Sequence, residues 1–81
     1  MGKTHELKIL PKYFSEVYSG NKTFEVRKND RNFKVGDMLI LKEWDIENQK
    51  FTGNQVKRKI TYILDNKIYL KKGFVILSLS N

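Results

Sequence analysis

The chain has 81 residues, of which 40% are hydrophobic and 12% aromatic, with no cysteine and a net charge of +7. That length bounds it to one small domain with one core, and without cysteine neither a disulfide nor a thiolate zinc site can reinforce that core. No apolar run approaches the ~18 residues of a membrane span, and Met1 to Lys8 lack the apolar stretch of a signal peptide, so the expectation is a soluble, cytoplasmic protein whose charge either attracts polyanions, nucleic acid first, or only aids solubility.

His5, Leu7 and Ile9 alternate with Glu6 and Lys8, which predicts a half-buried strand over His5 to Leu10. Pro11 suits the first position of a helix, where its missing N–H costs nothing. Tyr13, Phe14, Val17 and Tyr18 then recur at helical spacing and read as a core stripe. Gly20 closes this helix, predicted over Pro11 to Ser19. A strand follows over Thr23 to Lys28, then a polar loop at Asn29 to Asn32. Phe33 and Val35 re-enter the core, and Gly36-Asp37 turns the chain into a strong strand over Met38 to Trp44. Asp45 to Gly53 reads as a hairpin connection. Val56, Ile60 and Tyr62 alternate with Lys57, Lys59 and Thr61 in a strand over Gln55 to Ile63. Leu64 to Gly73 is an irregular connection, and Phe74 to Leu79 is a final apolar strand. The fold class is α+β, mainly β: about five strands curled into a small, partly open barrel, with one helix at one end.

The stretch most charged with chemistry is Gly20-Asn21-Lys22-Thr23-Phe24-Glu25-Val26-Arg27. Along a strand Glu25 and Arg27 share a face, with Cα atoms about 6–7 Å apart. Phe24 and Val26 take the opposite face and are expected to anchor the strand in the core. Lys22 lies at the turn, where alternation does not fix its direction. Alone, such a Glu–Arg pair is an ordinary solvated ion pair worth at most about 1 kcal/mol. The other reading is a charged front on an apolar back, with acceptor and donor edges for a nucleobase or a phosphorylated nucleoside, and the residues alone favour the ion pair.

The string Gly20-x-Lys22-x-x-Glu25-x-Arg27 resembles the GxKxxExR signature of the ASCH domain, in the PUA-like superfamily. The wider stretches HELKILPKYF, KTFEVRKNDRNFKVGDMLILKEWD and GFVILSL resemble a short bacterial and phage branch of that superfamily, of unassigned function. The resemblance covers nearly the whole chain as a single domain. It implies a PUA-like β-barrel with a cleft beside the first helix, lined by Lys22, Glu25 and Arg27. The activity it implies is binding of RNA.

The residue chemistry agrees. Arg27 is a planar fork for phosphate or a base edge, and Lys22 a mobile point charge. Glu25 accepts from exocyclic amines. Lys28, Asn29 and Arg31 would border the cleft. Trp44 is the candidate stacking surface, although a lone tryptophan is more often core. His5 matches the branch pattern and would take a place at the rim. Lys57 and Lys59 share a strand face, most simply a solvated one. No metal site or cofactor is expected, since the single histidine has no cysteine or second histidine to join it. The partner is RNA or a nucleotide-like small molecule, and not a membrane.

Two alternatives stand. One is a small hydrolase, either a ribonuclease using Lys22 and Glu25 as acid and base or a nucleoside amidohydrolase. ASCH relatives of the latter kind use a threonine nucleophile where this chain has Glu25, although Thr23 keeps a hydroxyl nearby. The other is a phage or bacterial protein-interaction module.

Overall fold

The alternation of His5, Leu7 and Ile9 forms a strand, and the computed structural model, which describes residues 2–80, places all three inside. Strand β1 (Thr4–Ile9) leads into helix α1 (Pro11–Tyr18) and then β2 (Phe24–Lys28), β3 (Met38–Asp45), β4 (Lys50–Leu64) and β5 (Phe74–Ser80). The five strands make one curled, half-barrel sheet in the order β1-β3-β4-β5-β2. The β1–β3 pair is parallel and the other three are antiparallel. The expected mainly β fold with one helix is therefore present. No helix among the described residues is long and apolar enough to cross a membrane.

Helix α1 has Pro11 in its first turn, no side-chain cap and no acidic residue near its start. Eight residues so equipped are not a stable helix in isolation. Packing holds it, because Phe14 and Val17 are buried against the sheet. Tyr13 and Tyr18, expected in the same stripe, are exposed. An eight-residue helix lying on a sheet buries only the centre of its apolar arc, so both tyrosines fall at the margin. From the sheet side, Arg58 of β4 points inward and its Nη2 donates to the Val17 carbonyl at 3.1 Å. That places a cation where the helix end is electronegative.

The core is made by the inward residues of four strands, β1, β3, β4 and β5: Leu7 and Ile9, Leu39 and Leu41, Val56 and Ile60, then Val75, Leu77 and Leu79, with Phe33 from the loop. Two expectations fail here. Val35 is exposed, because the turn at Gly36 spends it on the outside. Tyr62 is exposed and Ile63 packs on the core instead, because the β4–β5 register shifts between Ile60 and Tyr62 and reverses the alternation. A second irregularity lies in β3–β4. Lys42 pairs Gln55 and Trp44 pairs Phe51, so β4 carries two extra residues, around Gly53 at φ +99°. Glu43 fastens this bulge by accepting from Thr52 Oγ1 at 2.7 Å and Asn54 Nδ2 at 3.1 Å.

Candidate functional site

The turn between α1 and β2 fixes the direction of Lys22. Gly20, at φ +89°, reverses the chain at the end of the helix. The Gly20 N–H then donates to Val17 O at 3.1 Å and the Lys22 N–H to Glu16 O at 2.9 Å. Thus tied, Lys22 runs forward along β2, and its Nζ donates to Phe24 O at 2.7 Å and to Glu25 Oε1. Arg27 Nε donates to Glu25 Oε2 at 2.9 Å. Glu25 is only 4% exposed, with one cation on each carboxylate oxygen. That is the coordination a buried carboxylate requires.

The faces of β2 are the reverse of the sequence expectation. Glu25 lies inward beside Leu77, while Phe24 and Val26 are 45% and 52% exposed. Hydrophobic patterning would turn Phe24 and Val26 inward. The ion triad overrides it, because Lys22 and Arg27 neutralise the one group that burial penalises and keep their own ends near water. Phe24 and Val26 become walls of the site instead of its foundation.

β1 and β2 are the two edges of the sheet, and the curl brings them face to face. Arg27 Nη2 donates to Lys8 O across this seam at 2.6 Å. A cleft of about 490 Å³ opens here. It laps the edge of β2 and takes both of its faces, so that Glu25 and Arg27 meet Phe24 and Val26 in one space. Ile9, Leu10 and Tyr13 complete it from the β1–α1 side. Lys22 Nζ lies 4.8 Å from the Phe24 ring centre and 5.8 Å from that of Tyr13, so the two rings flank the ammonium group. The site is therefore a charged floor between aromatic walls. Tyr13 and Phe24 are missing from the sequence-derived site. Their signal was two apolar residues at positions where a core role fitted equally well.

The other candidates are placed as follows. Lys28 and Arg31 line an adjoining groove that shares Arg27 and Lys8 with the cleft. Asn29 serves the loop, its Oδ1 accepting from the Phe33 N–H at 3.0 Å. His5 is not at the rim. It is buried edge-on to Phe33, with its Nε2 2.7 Å from Asp37 Oδ2. Asp37 also accepts from the backbone N–H groups of Lys3 and Lys34. Burial pushes the Asp37 carboxyl up, but His5 and the two backbone donors outweigh it and hold the group below its ordinary value. His5 and Asp37 thus pin β1 to the start of β3. Trp44 is not a free platform. It meets Phe51 edge-on at 4.8 Å, and Lys8 Nζ covers its ring at 3.8 Å. Thr23 is exposed and does not line the cleft. Lys57 and Lys59 are exposed, away from the cleft. No cluster of three or more metal-ligating side chains occurs among the described residues.

Comparison with known sequences gives two matches. The family model described as "Domain of unknown function (DUF3850)" matches residues 4–79. A protein of Escherichia phage P2, printed as "Uncharacterized 12.9 kDa protein in GpA 3'region", is 45% identical over 71 residues. Those residues are 88% of this chain and 63% of the phage protein, so the chain spans under two thirds of that relative's length.

Proposed function

The chain belongs to the DUF3850 family, and for it we propose a cytoplasmic binding module that takes single-stranded RNA or a nucleotide-like ligand in the cleft at the β1–β2 seam. In this proposal the half-barrel is a PUA-like pseudo-barrel and the GxKxxExR string is its ligand signature, as the similarity to ASCH domains implies. The observation that carries the proposal is Glu25: a buried carboxylate, cation-paired on both oxygens, at the floor of a solvent-open cleft with exposed aromatic walls. A purely structural ion triad needs neither the opening nor the rings.

Each part has a task. Tyr13 and Phe24 offer faces for a base, since base–aromatic stacking is worth about 1–3 kcal/mol. Each Glu25 oxygen keeps a lone pair that can accept from an exocyclic amine. Arg27 uses part of a five-donor fork on Glu25 and Lys8, and the rest is available to phosphate.

The test is equilibrium binding of short single-stranded RNA and a nucleoside and nucleotide panel, at low and physiological salt, to wild type and Arg27→Ala. Saturable binding that persists in moderate salt and weakens at least tenfold in Arg27→Ala is the expected result. Weak binding that vanishes in salt and ignores the substitution would assign the attraction to net charge alone and end the proposal.

A further inference from the structure

The cleft continues into a second space along the same seam. β1 and β2 run in opposite directions, as their pairings with β3 and β5 require. The first cleft is lined by residues from Lys8 onward on β1 and up to Arg27 on β2. The adjoining groove, of about 550 Å³, is lined by residues up to Lys8 and from Arg27 onward. The Arg27–Lys8 contact therefore stands between two spaces, and each has the size of an ordinary ligand site.

The two differ in character. The first has apolar walls around one carboxylate and three cations, Lys8, Lys22 and Arg27. The second carries Lys8, Arg27, Lys28, Arg31 and Lys42 against Glu6 and Asp30. Lys42 is engaged with Glu6 at 3.2 Å, which leaves the excess of cations on the loop after β2 and on the seam itself. The groove also has an aromatic of its own. Phe51 lines it and is 44% exposed, with Lys42 Nζ 4.9 Å and Lys8 Nζ 6.0 Å from its ring centre. Phe51 reaches this position because the β4 bulge at Gly53 sets it opposite Trp44. Along the seam the order is then aromatic pair, guanidinium, basic groove, aromatic. That order matches the alternation of base and phosphate in a single strand.

We infer that the groove bounded by Lys28, Arg31 and Phe51 is a second nucleotide subsite, and that the ligand is a single strand of at least two nucleotides whose linking phosphate lies on Arg27 and Lys8. This rests on the assignment of the first cleft to a base. On binding, the second base stacks on the exposed part of the Phe51 ring. The ammonium group of Lys8, now held over aromatic rings, turns to the phosphate oxygens, while Lys42 stays with Glu6.

The experiment titrates cytidine 5′-monophosphate and 5′-phosphorylated oligocytidylates of two and four nucleotides into wild type, Phe51→Leu, Arg31→Ala and Arg27→Ala, at several salt concentrations. The readout is the gain in affinity from one nucleotide to two. We expect a gain of at least tenfold in wild type, and a loss of about five- to 150-fold in dinucleotide affinity with Phe51→Leu, the range of one base stack. Arg31→Ala should lower the dependence of log K on log salt by about 0.7. Thermal unfolding reports whether Phe51→Leu still folds. If it does not, Arg31→Ala decides alone, since that residue is an exposed loop position. No gain with length, or a gain unchanged in the folded variants, overturns the second subsite while sensitivity to Arg27→Ala keeps the first. Insensitivity of every probe to Arg27→Ala overturns both.

Discussion

Replacing Glu25 with glutamine tests whether the triad is built as described. Glutamine keeps the shape and one acceptor oxygen but presents an NH2 group to one of the two cations. A hydrogen bond to a charged group contributes about 1.5–3 kcal/mol, and glutamine loses one of two and faces a donor with a donor. Breaking a fully buried pair costs about 3–5 kcal/mol. The Lys22 and Arg27 side chains are 17% and 25% exposed, however, so a released cation regains part of its hydration. The expected loss is therefore about 2–3 kcal/mol, a fall in Tm on the order of 10–20 °C for a domain of this size. Urea unfolding monitored through Trp44 fluorescence measures it. A double-mutant cycle with Arg27→Gln should return a coupling of at least about 1 kcal/mol. If Glu25→Gln lies within about 0.5 kcal/mol of wild type with no coupling to Arg27, the carboxylate is not an organising centre and the reasoning fails.

Asp37 sets an acid limit. Its carboxyl is held below the ordinary 3.8, so its contribution is complete above that pH and disappears as pH falls through the lowered value. Asp37→Asn should be less stable at neutral pH and show a shallower loss of stability below about pH 4, and equal slopes in an acid titration of folding would contradict this. Arg58→Ala removes the donor to Val17 O and should cost about 1–3 kcal/mol in chemical denaturation; a neutral outcome would mean that α1 is held by Phe14 and Val17 alone. Gly20→Ala should cost about 1–2 kcal/mol from backbone strain only, since a Cβ there meets open space. Gly20→Asn should lose less, because asparagine tolerates that region better, and an Ala variant as stable as wild type would contradict the assigned turn.

Most of the fold could be read from the chain because the signals are local. Alternation marked β1, Pro11 and Gly20 bracketed α1, and the apolar run at Phe74 marked β5. The errors occur where a partner far along the chain decides. The pattern of β2 gave the wrong inward face because Lys22, Arg27 and the neighbouring β5 together accommodate a carboxylate that patterning would expel. Tyr62 was assigned inward because a register shift leaves no mark in a single strand's alternation. At the site, the pairing of Glu25 with Arg27 followed from strand spacing, and Lys22 joined them only through the resemblance to the ASCH signature. The roles of His5 and Trp44 did not, since Asp37 lies 32 residues from His5 and Trp44 is covered by Lys8 from a different strand.

The pairing of β2 has a consequence for how this protein comes into being. β2 has one ladder partner, β5, with Phe24 opposite Ser78 and Lys28 opposite Phe74. During synthesis at about 5–20 residues per second, the motif strand waits roughly 3–10 s for that partner to be made. The β3–β4 hairpin can form from neighbours in the meantime, while Glu25 remains hydrated and the seam has only one side. The cleft therefore forms late, once β5 has paired with β2. A nascent chain that already carries Lys22, Glu25 and Arg27 has no cleft until the strand at residues 74–80 has emerged.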